Sequence, residues 1–121
     1  MTDKHPLTKS NLAQFTGAIF WFRHALVSTV FYTDGVRYMA EKGEAYWLID
    51  EIAFAQKVED VAAEEFQHWT LKVSKDHSAV LKCSDGSCRI VFNKSIPFTD
   101  FPLDEISLYY TNNVILLPSE Y

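Results

Sequence analysis

The chain has 121 residues, a length typical of one domain with its own hydrophobic core. Its apolar content of 48% with 15% aromatic residues excludes a disordered chain, and four glycines with four prolines exclude a fibrous or low-complexity one. The formal charge of −5 argues against nonspecific binding to nucleic acid or to an anionic membrane, because both require a cationic surface.

The N-terminal residues 1–9 predict an extended, polar lead-in to a single domain that fills the chain from 1 to 121. This segment lacks the apolar core of a signal peptide. No stretch approaches the ~18 consecutive apolar residues of a membrane span. We therefore expect a cytoplasmic protein with no membrane partner and no direct nucleic-acid partner.

Residues 19–30 fit a helix or a strand, and the pattern leaves both open. Trp21, Phe22 and Leu26 suit a helix, whereas the β-branched run that ends at Val30 suits a strand. The next segment predicts a hairpin, because the pair Asp34-Gly35 typically supplies the positive φ of a two-residue turn.

The segment of about 44–58 predicts the main helix. Successive positions ~100° apart place apolar side chains around most of its circumference, which is typical of a helix covered on two sides. Glu51 lies among these apolar positions. A carboxylate there needs a cation or hydrogen-bond donors, or its pKa rises. We predict an ion pair of Glu51 with Arg37, and the alternative is a carboxylate that lines a pocket.

The rest of the chain predicts antiparallel strands. Residues 68–73 alternate between polar and apolar side chains, as a half-buried strand requires. Two hairpins follow, one around Asp85-Gly86 and one around Asn112-Asn113. The predicted fold class is α+β, with a curved antiparallel sheet of about five to seven strands and one main helix packed on it.

The two cysteines are predicted neighbours in the first of these hairpins, where Asp85-Gly86 as the turn places Cys83 opposite Cys88. They could form a disulfide if oxidised, although cytoplasmic thiols are normally reduced. A zinc site requires four ligands, and no second ligand pair is present in the sequence. We expect no metal and no cofactor.

Catalytic signatures are missing from the sequence, which contains no phosphate-binding glycine loop and none of the common hydrolase or metalloprotease motifs. The candidates for acid–base chemistry are Glu51 and His68, the latter beside Cys83 or Glu65 in space. A structural role is the simpler interpretation of each.

Tyrosines supply a candidate binding surface. Tyr32, Tyr46 and Tyr109 fall on the predicted outer faces of their elements, and Tyr121 is terminal. Exposed tyrosines are typical of protein contact sites. The alternative is that they pack against the N-terminal segment or against a second copy of the chain, as in a homodimer.

Five segments carry a resemblance to a known family: YTDGVRY (32–38), YWLIDEIA (46–53), VAAEEFQ (61–67), FTDFPLDEI (98–106) and LYYTNNVILLPSEY (108–121). In them the chain resembles a family of small bacterial proteins, many of them on phages, plasmids and other mobile elements, described only as a domain of unknown function. The paired cysteines are not part of that pattern. The resemblance implies a cytoplasmic, mobile-element setting and no defined activity.

We therefore expect a non-enzymatic protein-binding module, such as an accessory or counter-defence protein of a mobile element. The competing hypothesis is a small enzyme or ligand binder that uses Glu51 in a pocket. A pocket that contains Glu51 without a cationic partner would favour the second hypothesis, and an ion-paired Glu51 would remove its basis.

Overall fold

The computed structural model of the chain describes residues 7–15, 20–87 and 89–121. The strands are β1 Trp21–Arg23, β2 Phe31–Thr33, β3 Phe66–Val73, β4 Ala79–Ser84, β5 Ile90–Ile96, β6 Glu105–Thr111 and β7 Val114–Leu116. The helices are α1 Lys9–Ala13, α2 Asp34–Lys42, α3 Tyr46–Ala55 and α4 Glu59–Ala62, followed by a C-terminal 3-10 helix, Pro118–Glu120.

These strands form one sheet with the order β1-β2-β7-β6-β3-β4-β5. All neighbouring pairs are antiparallel except β2 and β7, which run parallel. The α+β prediction with up to seven strands is confirmed, and the sheet is mixed but mostly antiparallel. One cluster of buried apolar residues joins the helices to one face of this sheet, with Leu48, Ile49 and Ile52 of α3 among its members.

The predicted main helix is confirmed as α3 with tighter bounds. Glu44 has a φ of 51°, which a right-handed helix does not accept, so the helix cannot begin there. Ala45 takes the N-cap position and Gln56 the C-cap position. A separate short helix, α4, follows within the described residues.

The predicted hairpin at Asp34-Gly35 is wrong, because this pair begins α2 instead. Thr33 caps the helix: its Oγ1 accepts a hydrogen bond from the Val36 backbone N–H at 3.2 Å. Asp34 then adds a negative charge to the first turn, where the helix dipole favours it. Buried Val36, Met39 and Ala40 have helical spacing and pack into the core.

The ambiguous segment of residues 19–30 contains a short strand, although residue 19 itself lies outside the described residues. β1 pairs with β2, so that Trp21 is opposite Thr33 and Arg23 opposite Phe31. A loop connects the two strands. Of the predicted lead-in 1–9, residues 1–6 lie outside the described ones, Leu7 is buried and Lys9 opens α1.

The hairpin of β4 and β5 forms, but its predicted register is wrong. Cys83 lies opposite Phe92 rather than Cys88, and Leu81 lies opposite Lys94. The loop is longer than two residues, since the Asp85 N–H donates to the Arg89 carbonyl at 3.1 Å, and the strands shift register after Cys83. Cys88 lies outside the described residues, and Cys83 carries a free, buried thiol, so the structure does not contain the possible disulfide between them.

The last hairpin is confirmed. Asn112 and Asn113 have φ values of 53° and 67°, the conformation of a two-residue hairpin turn that asparagine tolerates. β6 and β7 pair on either side, with Thr111 opposite Val114.

Buried Gln67 joins the sheet to the helices. Its side chain is 1% exposed and exchanges two amide hydrogen bonds with Gln56, at 2.8 and 2.9 Å. Its amide nitrogen also donates to the Val61 carbonyl, and its amide oxygen accepts from Trp69 Nε1, each at 2.9 Å. Because every polar atom of this side chain has a partner, its burial is stabilising rather than costly.

Replacing Gln67 with leucine is therefore expected to lower the free energy of unfolding by about 2–4 kcal/mol, since it leaves Gln56 Oε1 and Trp69 Nε1 without their hydrogen-bond partners. Urea denaturation followed by tryptophan fluorescence measures this loss. The control Thr70→Ala changes the same strand on its other face and should stay within about 0.5 kcal/mol of the parent. A Gln67→Leu protein as stable as the control would contradict the role given to this network.

Candidate interaction surface

Within the described residues, one face of the sheet carries none of the α-helices but only the C-terminal 3-10 helix at one end, and we call it the open face. Along β3, Gln67, Trp69 and Leu71 are buried beneath the helices. On the opposite face of the same strand, His68 is partly exposed and Lys72 is fully exposed. β4 and β6 show the same alternation. The register aligns these exposed side chains across the strands.

An aromatic cluster lies on the open face and consists of Phe66, Tyr109 and Tyr121. Its ring centroids are 5.0 to 5.4 Å apart, with tilted or edge-on geometries that favour aromatic pairs. Tyr121 is 72% exposed, so much of the cluster's apolar surface faces solvent. His68 extends the cluster with its ring edge-on to Tyr109 at 5.3 Å.

A groove of about 270 Å³ adjoins this cluster on β3 and β4. We call it the cationic groove because Lys72 and Lys82 line it together with His68. Thr70 is the Cα partner of Lys82, and Val80 that of Lys72, so the two lysines are diagonal neighbours on one face. Such neighbours have Cβ atoms about 7–8 Å apart or less.

The four predicted binding tyrosines divide between the two faces of the sheet. Tyr109 and Tyr121 lie on the open face. Tyr32 lies on the helix side, because its Cα partner is Ile115, a fully buried residue. Burial raises the pKa of Tyr32, with Tyr46 and Asp50 adding to the shift and Arg37 opposing it. Tyr46, which begins α3, is 43% exposed on that side.

Glu51 has a cationic partner, but it is not the predicted Arg37. Its Oε2 accepts a hydrogen bond from Lys94 Nζ at 2.7 Å. Arg37 lies instead 3.7 Å from Glu41 on its own helix and over the ring of Phe22. The predicted partner is wrong because Arg37 belongs to α2 rather than to a hairpin strand. Lys94 on β5 lies on the helix side of the sheet, opposite buried Leu81, and contacts Glu51 there.

His68 does not form the predicted nucleophile pair with Cys83. His68 faces the open side, whereas Cys83 is buried on the helix side opposite Trp69. Burial, with the charges of Glu64 and Asp85, raises the pKa of the Cys83 thiol to about 12. A thiol of this kind is not a nucleophile near neutral pH, because the thiolate is the reactive form.

Buried His24, which the sequence did not single out, pairs with half-exposed Asp50. Its Nδ1 accepts from the backbone N–H groups of Leu26 and Val27 at 3.1 and 3.0 Å, so Nε2 carries the proton and donates to Asp50 at 2.7 Å. Both ring nitrogens are occupied by protein groups. This histidine fixes the loop after β1 onto α3 and has no free nitrogen for a ligand.

The C-terminal residues are held on the open face by Glu120. Its Oε1 accepts from Thr33 Oγ1 at 2.6 Å and from the Leu117 N–H at 2.9 Å. The carboxylate lies against Gly35, where an added Cβ would be 2.7 Å from Oε2. Its position at the start of α2 suits a negative charge. Glu120 therefore anchors the chain next to Tyr121 and positions the aromatic cluster.

Replacing Glu51 with glutamine and Lys94 with glutamine, singly and together, is expected to give a coupling free energy of about 0.2–1 kcal/mol. The value is small because the side chains are 26% and 47% exposed and solvent screens the pair. Chemical denaturation of the four proteins measures it. The reversed pair, Glu51→Lys with Lys94→Glu, should recover most of the loss, and a coupling of zero would contradict the ion pair.

Replacing Gly35 with alanine is expected to lower stability by about 1–3 kcal/mol, because the new methyl group overlaps the Glu120 carboxylate. The matched test repeats the change in a Glu120→Ala background, where the obstacle is gone. There, alanine should be neutral or stabilising by up to about 1 kcal/mol, its intrinsic helical advantage over glycine. Equal losses in both backgrounds, measured by thermal or urea unfolding, would refute this contact.

No three His, Cys, Asp or Glu side chains of the described residues come together as metal ligands would. No helix in the described part of the chain is long and apolar enough to span a membrane.

Comparison with known proteins gives one match. No curated protein and no solved structure matches the chain. A family model described as "Family of unknown function (DUF6876)" matches residues 6–121, which include every described strand and helix. The resemblance noted in the sequence is confirmed at this level, and the chain belongs to the family of unknown function DUF6876.

Proposed function

We propose that the protein is a non-enzymatic binding module that holds a protein partner on its open face. The observation that carries the proposal is the aromatic cluster, which projects from a sheet face that no described α-helix covers. Tyrosine and tryptophan dominate the binding energy of protein interfaces, since their large rings exclude water while their polar atoms stay hydrogen-bonded.

The extent of the open face suits a partner of this kind. Its aromatic side chains continue towards the sheet edge at β1, where Trp21 is 62% exposed. Arg23 lies next to it with its guanidinium 5.3 Å from the ring centroid of Phe31. A patch that runs from β3 to β1 gives a partner rigid anchors on regular strands, which lowers the entropy cost of binding.

Charge argues for a different protein rather than a second copy as the occupant. By register, the charged side chains on the outward positions of the strands are Arg23, Lys72, Lys82 and Glu105. Glu120 of the C-terminal segment adds a second carboxylate to this face. The three cations still outnumber the two carboxylates, so an identical face placed over them opposes like charges. A homodimer remains an outcome of the test below.

The edges of the sheet are less suited to association than its face. β5, the long edge strand, has a register shift near Cys83 and turns the charge of Lys94 inward to Glu51. A bulge and an inward-pointing charge are devices that keep an edge strand from pairing with another chain. This favours binding through side chains on the open face.

Within this proposal, the resemblance to proteins of mobile elements gives the setting. The partner would be a protein of the host cytoplasm, and the module would act as an accessory or counter-defence protein. The competing hypothesis of an enzyme or small-ligand site at Glu51 loses its basis, because that carboxylate is ion-paired with Lys94 rather than free in a pocket.

Site-specific photo-crosslinking tests the proposal. A photoreactive phenylalanine replaces Tyr109 on the open face or, as the matched control, Tyr46 on the helix side. The proteins are illuminated in nuclease-treated lysate of the host cell. We expect one adduct with another protein from position 109 and none from position 46, since only the first lies beside the aromatic cluster.

Two surface variants make the crosslinking result specific. Tyr121→Ser should reduce the adduct about ten-fold, as loss of an interface anchor does, whereas Tyr46→Ser should leave it unchanged. Both side chains are exposed, so neither change threatens the fold. An adduct from position 46 alone, an adduct between two copies of the chain, or an adduct abolished by nuclease would each overturn the proposal.

A further inference from the structure

We infer that the cationic groove receives acidic side chains of the bound segment, so that the partner presents aspartate or glutamate next to the aromatic cluster. The inference rests on the proposed function and adds the chemical class of the ligand. Its geometric basis is the arrangement of His68, Lys82 and Lys72 as successive diagonal neighbours across β3 and β4.

Neither lysine forms an ion pair with a carboxylate of the described residues. Ion pairs in the described residues engage Arg37, Arg89 and Lys94, but neither Lys72 nor Lys82. Glu105 is the cross-strand Cα neighbour of Lys72, yet no ion pair forms between them. Two like charges on neighbouring strands of one sheet face repel each other. An anion bound between them replaces this repulsion with attraction to both.

Hydroxyl groups complete the groove as a site for oxyanions. Thr70, Ser74 and Ser84 line it together with the lysines. Carboxylate oxygens accept hydrogen bonds from ammonium and hydroxyl groups alike, and such charge-assisted bonds are the stronger ones. Apolar Val80 and Ile90 form the rest of the lining, so the groove also accepts the methylene groups of a glutamate side chain.

The groove and the aromatic cluster form one continuous surface. His68 lines the groove and also packs edge-on against Tyr109, with 5.3 Å between the two ring centroids. A segment bound across both would place an acidic residue over the lysines and an apolar or aromatic residue over Tyr109 and Tyr121. The expected motif is therefore acidic residues beside an aromatic one.

An acidic protein segment fits this surface better than nucleic acid does. The chain as a whole has a net charge of −5, whereas on the outward positions of the strands Arg23, Lys72 and Lys82 outnumber Glu105. A long polyanion would extend beyond the face and meet the acidic remainder. A short acidic segment stays within about 8 Å of the lysines, the distance over which charges act at physiological salt.

A nuclear magnetic resonance titration tests the inference with defined probes. Backbone amide spectra of the intact protein are recorded while the capped peptide Glu-Glu-Tyr-Glu-Glu is added to millimolar concentration. We expect shifts of the amide signals of Thr70, Lys72, Lys82 and Ser84. The peptide Lys-Lys-Tyr-Lys-Lys, the charge-reversed control, should leave these signals in place.

Charge variants then assign the effect to the groove. The double variant Lys72→Gln/Lys82→Gln should weaken binding of the acidic peptide about five-fold or more, roughly 1 kcal/mol. The matched double variant Lys42→Gln/Lys57→Gln loses the same charge on the helix side, at the ends of α2 and α3, and should bind as the parent does. An equal loss of affinity in both double variants would mean that binding depends only on the overall charge of the protein, and it would overturn the inference.

Two further outcomes also overturn the inference. One is the lack of any shift with the acidic peptide. The other is a single-stranded oligothymidine that shifts the same signals at lower concentration than the peptide, which would make the groove a nucleic-acid site. If the photo-crosslinked adduct persists undiminished in Lys72→Gln/Lys82→Gln, the proposed function stands and the acidic ligand does not.

Discussion

The structure depends on the hydrogen bonds of one buried side chain, Gln67. Gln67 lies on β3, and its side chain forms hydrogen bonds with Gln56, the C-cap residue of α3, and with the Val61 carbonyl of α4. A buried amide is costly unless all its partners are in place, so these contacts favour one placement of α3 and α4 over β3. Since the helices are thereby held on one face, the opposite face stays open, and the candidate interaction surface follows from this asymmetry.

The sequence predicted those parts of the fold that local rules determine. Alternation in β3 identified which side chains are buried, and Asn112-Asn113 identified the last turn, because each signal depends on neighbours along the chain. Asp34-Gly35 was misread because the same dipeptide suits a hairpin turn and a helix start. The deciding group was the hydroxyl of Thr33, whose capping bond outweighed the turn preference.

Contacts between distant elements could not be predicted in this way. The register of β4 and β5 depends on a loop closed by Asp85 and on a shift after Cys83, neither of which follows from the two-residue turn. The sequence recognised Glu51 as misplaced, but its partner lies 43 residues away on an edge strand. For the candidate site, β3 alternation already placed His68 and Lys72 on the polar face; it could not show that Tyr32 lies on the other one.

The separation of charge gives this surface its physical character. An acidic protein with a small cationic face discriminates between anions by their length, because a short segment contacts only the face whereas a long polyanion also meets the repulsive remainder. In the proposed binding mode, the aromatic cluster adds binding free energy that is largely independent of salt. A ligand can use both the lysines and the aromatic rings only if they are held side by side on one rigid surface. The paired strands that carry His68, Lys82 and Tyr109 form such a surface.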